Sequence, residues 1–144
     1  MGGCVRRLAV GAVLLNEKGQ VLLVRNRGHY RPHWSLPKGS CEEGEPLLQT
    51  MGREVLEETG LVVEMAELAF VTEWFVASRQ EWYLQFYFHA TVVGGELGVP
   101  EDDEDVTQVQ WVHPKEIRQY MNYRPWVEPL FTWLEERRPR YHIF

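Results

Sequence analysis

The chain is short of cysteine, of basic charge and of long apolar runs, and each shortage closes off a class of function. Its two cysteines, Cys4 and Cys41, form neither a metal-binding nor a redox spacing and cannot make a disulfide framework, so a reducing cytoplasm is the simplest compartment. Asp and Glu outnumber Lys and Arg by 21 to 15, a net charge of −6. That balance argues against DNA as a partner, and against RNA too, because nucleic-acid domains usually carry a basic face. No apolar run approaches membrane-spanning length. Arg6-Arg7 followed by LAVGAVLL mimics a short signal peptide, but a turn at Asn16–Gly19 follows instead of a small-x-small cleavage site. Met1-Gly2-Gly3 opens like a myristoylation signal, yet Arg6 stands where Ser or Thr is required. Repeats and linkers are also missing, so the 144 residues read as a single domain, 1–144, large enough for a proper core.

What the chain does have is an ordered alternation of strand-like and helix-like segments. Leu8 to Leu15 and Gln20 to Arg25 are apolar runs around the turn at Asn16–Gly19 and read as a β-hairpin. Trp34-Ser35-Leu36 reads as a short strand. Val62 to Ala77 and Trp82 to Val93 read as a second hairpin. In its return strand Trp82, Leu84, Phe86, Phe88, Ala90 and Val92 form an apolar face, with Tyr83, Gln85, Tyr87, His89 and Thr91 opposite. Val106 to Val112 reads as a further strand, Pro114 opens a short helix and Pro125 the last one. The tail RRPRYHIF shows no readable role. Strands, helix, strands, then helices suit an α/β fold with a mixed sheet between helices.

The chain is organised around Gly39 to Leu61, GSCEEGEPLLQTMGREVLEETGL. Pro46 is suited to the first helical position and Gly60 to the left-handed residue just past the helix end. Between them Leu47, Leu48, Met51, Gly52 and Val55 share one face, which should be buried. Gly52 costs about 1 kcal/mol inside a helix, and close helix–sheet packing would account for it. Glu54, Glu57 and Glu58 crowd the neighbouring flank, where like charges three and four residues apart repel. Arg53, four residues before Glu57, offsets part of that repulsion, and a divalent cation with oxygen ligands would offset the rest.

The whole stretch resembles the Nudix box, Gly-x5-Glu-x7-Arg-Glu-U-x-Glu-Glu-x-Gly-U with U aliphatic. Here Gly39, Glu45, Arg53, Glu54, Val55, Glu57, Glu58, Gly60 and Leu61 fill every specified position. The preceding WSLPKG also looks like the family. The resemblance implies a Nudix α/β/α sandwich and a hydrolase that attacks a diphosphate linkage in a nucleoside diphosphate derivative. It implies Mg²⁺, with Mn²⁺ as an alternative, held by Glu54, Glu57 and Glu58, by the backbone of Gly39, and by one more carboxylate from the run Glu101–Asp105, where Glu104 is the choice. Glu54, Glu57 and Glu58 are then the catalytic set, and which glutamate takes the proton stays open. Glu45 and Arg53 look like the pair that ties loop to helix.

For substrate, the loop RNRGHYRPH reads either as a solvated connection or as an entry lip, where Arg25, Arg27 or Arg31 meets phosphates and Tyr30 meets a base. Lys38 reads as solvent-facing, or as a counter-charge to phosphate. The family's ADP-ribose pattern would place a Pro near Phe75 to Ala77, where none occurs. The Tyr that diadenosine polyphosphate hydrolases tend to carry slightly further on would fall at Ala77-Ser78-Arg79, where none occurs, whereas the LPKG flank looks more like the dinucleoside polyphosphate and nucleoside triphosphate branches. The alternatives are a nucleotide sensor on the same fold without turnover, and removal of a 5′ diphosphate from RNA. A homodimer is also compatible with exposed strand edges.

Overall fold

The computed structural model describes residues 3–144; Met1-Gly2, and with them the myristoylation-like start, lie outside the described residues. Eight strands and three α-helices follow in the order β1 (Val5–Val13), β2 (Val21–Asn26), β3 (His33–Ser35), β4 (Lys38–Gly39), α1 (Leu47–Thr59), β5 (Leu61–Val76), β6 (Glu81–Gly95), β7 (Val106–Val112), α2 (Ile117–Tyr120), α3 (Arg124–Glu136) and β8 (Arg140–Ile143). The expected sandwich is present, and its sheet layer is split in two. A mixed five-stranded sheet runs β4-β1-β6-β5-β8, and an antiparallel three-stranded sheet runs β3-β2-β7.

The split corrects the first hairpin. Its turn forms as expected, with the Asn16 side chain accepting from the amides of Lys18 and Gln20 at 3.0 and 2.9 Å. Beyond a single bridge, Leu15 to Val21, the strands part. β1 pairs in parallel with β6, and β2 joins the small sheet between β3 and β7. Val10, Ala12, Val13, Leu14 and all of Val21–Val24 are fully buried, so each strand needs cover on both faces, which a two-stranded ribbon cannot supply.

Two apolar clusters hold the layers. Met51 and Val55 of α1 pack on Val10, Ala12, Leu14, Leu22 and Ala90. On the other side Val127, Leu130 and Trp133 of α3 pack with Val13, Phe70 and Tyr87. Cover on both sides explains why the polar face of β6 is not left to solvent around Gln85 and Tyr87, which are both buried, with the Tyr87 hydroxyl donating to Gln85. The tail, which carried no sequence signal, forms β8 and pairs in parallel with β5 from Phe70↔Arg140 to Glu73↔Ile143. Among the described residues no helix is long and apolar enough to cross a membrane.

Helix α1 starts one residue later than read, with Pro46 as its extended N-cap, and stops at Gly60 in the left-handed conformation (φ 79°). Met51 and Val55 are buried as expected, but Leu48 is 51% exposed. The account of Gly52 is also corrected. A Cβ built there would meet nothing within 4 Å, so no close packing requires glycine. Gly52→Ala is therefore expected to stabilise the protein by about 1 kcal/mol, read as a rise in the urea midpoint at unchanged slope.

Candidate active site

Strand β4 lies against β1 with Val10 opposite Gly39 and Gly11 opposite Lys38. This brings the backbone of Gly39 hard against the flank of α1. A Cβ at Gly39 would sit 2.1 Å from the carboxyl carbon of Glu54, so the position admits only glycine while that carboxylate stays in place. Gly11 is equally tight, since a Cβ there would come within 2.6 Å of the Tyr87 ring and 2.7 Å of the Pro37 carbonyl. The two glycines together let β4, β1 and α1 converge.

Arg53 braces the converging parts. Its Nε and Nη2 donate to the two oxygens of Glu45 at 2.7 and 2.8 Å, a bidentate pair. Nη2 also reaches the Ser40 carbonyl at 3.0 Å, and Nη1 donates to Glu54 at 2.9 Å and Glu57 at 3.2 Å. Thr50 Oγ1 adds a 2.7 Å donation to Glu45, a contact that sequence spacing did not single out. These bonds, Arg53 first and Thr50 second, hold the Glu45 carboxyl at about 2. These contacts join Ser40 and Glu45 of the loop to helix α1.

Glu54 and Glu58 face the other way electrostatically. Glu58 is buried, and burial followed by the neighbouring Glu54 carboxyl pushes it up to about 9, against the weaker pull of the Lys38 backbone and ammonium. Glu54 is also raised, first by burial, with Arg53 working against the shift. One oxygen of Glu58, Oε1, is buried with no hydrogen-bond partner. A buried carboxylate oxygen left orphaned beside a second carboxyl is costly unless a cation or proton completes it. An all-oxygen donor set of this kind fits a hard divalent cation. Glu54 and Glu58 would hold it, with the Gly39 backbone adjacent and Glu57 on the same helical flank.

The remaining expected residues are placed less tightly. Glu57 is 53% exposed and turned to Arg53. Among the described residues no three His, Cys, Asp or Glu side chains converge as a metal-binding group, so the pair Glu54–Glu58 is the cluster actually formed. Glu104 is exposed and makes no side-chain hydrogen bond or ion pair among the described residues. From the same acidic run it is Asp105 whose charge acts on Lys38, and the Asp105 carbonyl accepts from the Arg27 amide at 2.8 Å. Nothing in a run of five acids singles out Asp105 except its place directly before β7. Lys38, read as solvent-facing or as a counter-charge to phosphate, is half-buried. Its ammonium lies 4.9 Å above the Trp126 ring, and burial lowers its pKa against the charges of Glu58 and Asp105. Arg25, in β2, pairs across to Trp34, while Arg27, Tyr30 and Arg31 are exposed on the loop. None of these four side chains bonds to the glutamates among the described residues. A surface concavity of about 370 Å³, lined by Leu15, His89 and Trp111 among others, shares no residue with the carboxylate cluster.

The NUDIX domain family profile matches residues 5–134, nearly the whole chain. The chain belongs to the NUDIX family. Among curated NUDIX relatives, the 8-oxo-dGDP phosphatase NUDT18 of Mus musculus is 37% identical over 69% of this chain and 30% of its own length. An RNA pyrophosphohydrolase of Psychrobacter is 35% identical over 61% of this chain and 50% of its own. This NUDIX chain thus spans half or less of the length of either relative. Among solved structures, a NUDIX hydrolase from Nitrosomonas europaea is 29% identical, covers 91% of this chain and 86% of its own, and superposes with a TM-score of 0.71.

Proposed function

We propose that this NUDIX domain is a divalent-metal-dependent pyrophosphohydrolase, active in the cytoplasm on a small nucleoside diphosphate derivative. A dinucleoside polyphosphate or nucleoside triphosphate is favoured over an ADP-ribose-type substrate. The observation that carries the reading is the Glu54–Glu58 pair, in which Glu58 keeps an orphaned buried oxygen while Glu54 lies against Gly39 and is braced by Arg53. The names of the NUDIX relatives, a phosphatase of an oxidised nucleoside diphosphate and an RNA pyrophosphohydrolase, support phosphoanhydride chemistry.

In this reading Mg²⁺ or Mn²⁺, when bound, supplies Lewis-acid stabilisation of charge on the phosphate oxygens. The protein supplies the rest. Water attacks one phosphorus, the anhydride P–O bond breaks, and two phosphates leave. The water's proton passes to an ionised carboxylate of the Glu54–Glu58 pair. Arg53 keeps Glu54 and Glu57 in register, and Glu45 fixes Arg53 in turn. Lys38 and the loop of Arg25, Arg27 and Arg31 offer positive charge to an anionic substrate on a chain of net charge −6.

The test is a screen for the two phosphorylated products, over nucleotide sugars, dinucleoside polyphosphates, nucleoside triphosphates and 5′-triphosphorylated RNA, with Mg²⁺ and with EDTA. One small-nucleotide class should turn over with Mg²⁺ and stop with EDTA. Nucleotide binding without turnover under Mg²⁺ and Mn²⁺ would replace the hydrolase with a sensor, and turnover of RNA alone, lost steeply with salt, would replace the small substrate.

A further inference from the structure

We infer that the uncovered half of the five-stranded sheet is the place where a second copy of this chain docks, face to face, in a homodimer. The contact uses a sheet face and not a strand edge. It lies towards β8, whereas Gly39 and the carboxylates lie at the β4 edge of the same sheet, so it stands independently of the chemistry there.

The face follows from the strand register. Residues opposite one another on paired strands project from the same side of a sheet. Leu8 stands opposite Leu84, Leu84 opposite Glu73, and Glu73 opposite Ile143. The row above is Val10, Phe86, Val71 and Tyr141, and the row below is Arg6, Trp82 and Phe75. Helix α1 covers one end of this side. The apolar cluster beneath it takes in Val10, Phe86 and Phe88. Leu8, Val71, Phe75, Leu84, Tyr141 and Ile143 belong neither to that cluster nor to the one beneath α3. On the α3 side of the same strands Phe70, Thr72, Gln85 and Tyr87 are buried, so the difference is one of cover. Leu8 and Phe75 are 39% and 38% exposed, Tyr141 and Ile143 60% and 58%, and Leu84, in the central strand, is still partly open. A sheet can leave one face to water when that face is polar. This one is apolar, and a partner would remove the cost of wetting it.

Charge and size both fit a second copy. The charged side chains in these rows are Arg6 and Glu73, and they are spent on each other at 3.2 Å. The Tyr141 hydroxyl donates to the other Glu73 oxygen, and the Arg6 guanidinium lies over the Trp82 ring at 5.3 Å. The face is therefore neutral on a chain of net charge −6. A nucleic acid or an anionic membrane calls for a basic surface, which this face lacks. Its own copy offers the same neutral apolar surface, and a two-fold contact requires a patch that complements itself. Four strands about 4.8 Å apart, with residues about 3.3 Å apart along them, give these rows roughly 300 to 400 Å² in projection. That is the size of the largest apolar patch on a typical monomer. Corrugated by side chains and bordered by a polar rim, it approaches the area of about 800 Å² per partner that a stable contact buries.

The test is sedimentation velocity of the whole chain from about 1 to about 100 μM, a range in which a contact of this size dissociates. Wild type should pass from the mass of one 16.9 kDa chain to that of two as concentration rises. Leu84→Lys, at the centre of the face, and Phe75→Glu, at its margin, should each raise the dissociation constant at least about tenfold, because each buries a charge without a partner in the contact. Phe75 is more than a third exposed, so its substitution leaves the monomer folded. Val5→Lys, on the same strand as Leu8 but on the opposite side and 50% exposed, should leave the dimer unchanged. Added NaCl should not weaken a neutral apolar contact. A wild type that stays monomeric up to about 100 μM would overturn the docking face. So would a dimer that persists in both variants, one that Val5→Lys weakens equally, or one that salt dissolves.

Discussion

Glu58→Gln should leave a protein at least as stable as wild type in metal-free buffer and about a thousandfold less active. The two effects share one cause. Without a cation, the Glu58 carboxyl is buried beside Glu54 with an oxygen unpartnered, so its charged form is a cost to the fold. A glutamine of the same shape removes that charge. It also removes an oxygen anion from the site, and with it several kcal/mol of transition-state stabilisation, about a thousandfold in rate. The pH dependence separates this account from simple damage. The folded pKa of Glu58, about 9, lies above the ordinary glutamate value of 4.5, so between those values the folded state holds more protons than the unfolded one. Stability of the metal-free wild type should then fall as pH rises through that window, and Glu58→Gln should flatten the slope. Mg²⁺ should stabilise wild type and release protons on binding, and should do neither to the variant. A variant that melts several degrees below wild type without metal would show that Glu58 is an ordinary paired carboxylate.

What the sequence could show, and what it could not, follows from the range of the interactions involved. Helix α1 and its brace were legible because their determinants are local: Pro46, Gly60, and an Arg53 that reaches residues one and four positions on and eight back. Partner choice between strands was not local. The run Leu8–Leu15 has the same apolar character whether it pairs with β2 or with β6, and only burial on both faces of Val10–Leu14 sends it to β6, more than seventy residues away. Strand β8 was invisible for the same reason. RYHI is short, half polar and at a sheet edge, and it is fixed by distant partners, with Tyr141 donating to Glu73 and the Phe144 amide to the Glu73 carbonyl. Within the site, the glutamates were identified by spacing, but spacing could not divide them. The fold buries Glu58 and turns Glu57 to Arg53, a distinction set by β4 and Lys38 on one side and solvent on the other.

Arg53→Lys is expected to cost about a hundredfold in kcat/KM while keeping the positive charge, because the loss is one of geometry. Arg53 binds both oxygens of Glu45, the Ser40 carbonyl, Glu54 and Glu57 from one planar group. A lysine ammonium is a point with three donors and cannot grip Glu45 bidentately while spanning Glu54 and Glu57. Released from the brace, the loop that carries Gly39 and the flank that carries the carboxylates lose their common reference. Glu45 supplies an independent readout. Its folded pKa of about 2 lies below the ordinary 4.5, so its contribution to stability is complete above 4.5 and is lost as pH falls through about 2. In Arg53→Lys the midpoint of the Glu45 carboxyl, followed by NMR, should move up towards the ordinary value, held partly down by Thr50, and the acid limb of the stability curve should shrink. If the midpoint stays near 2 and activity survives, charge alone would suffice at position 53. The bidentate grip would then be a consequence of the fold, not the device that keeps three like charges within one helical turn of each other.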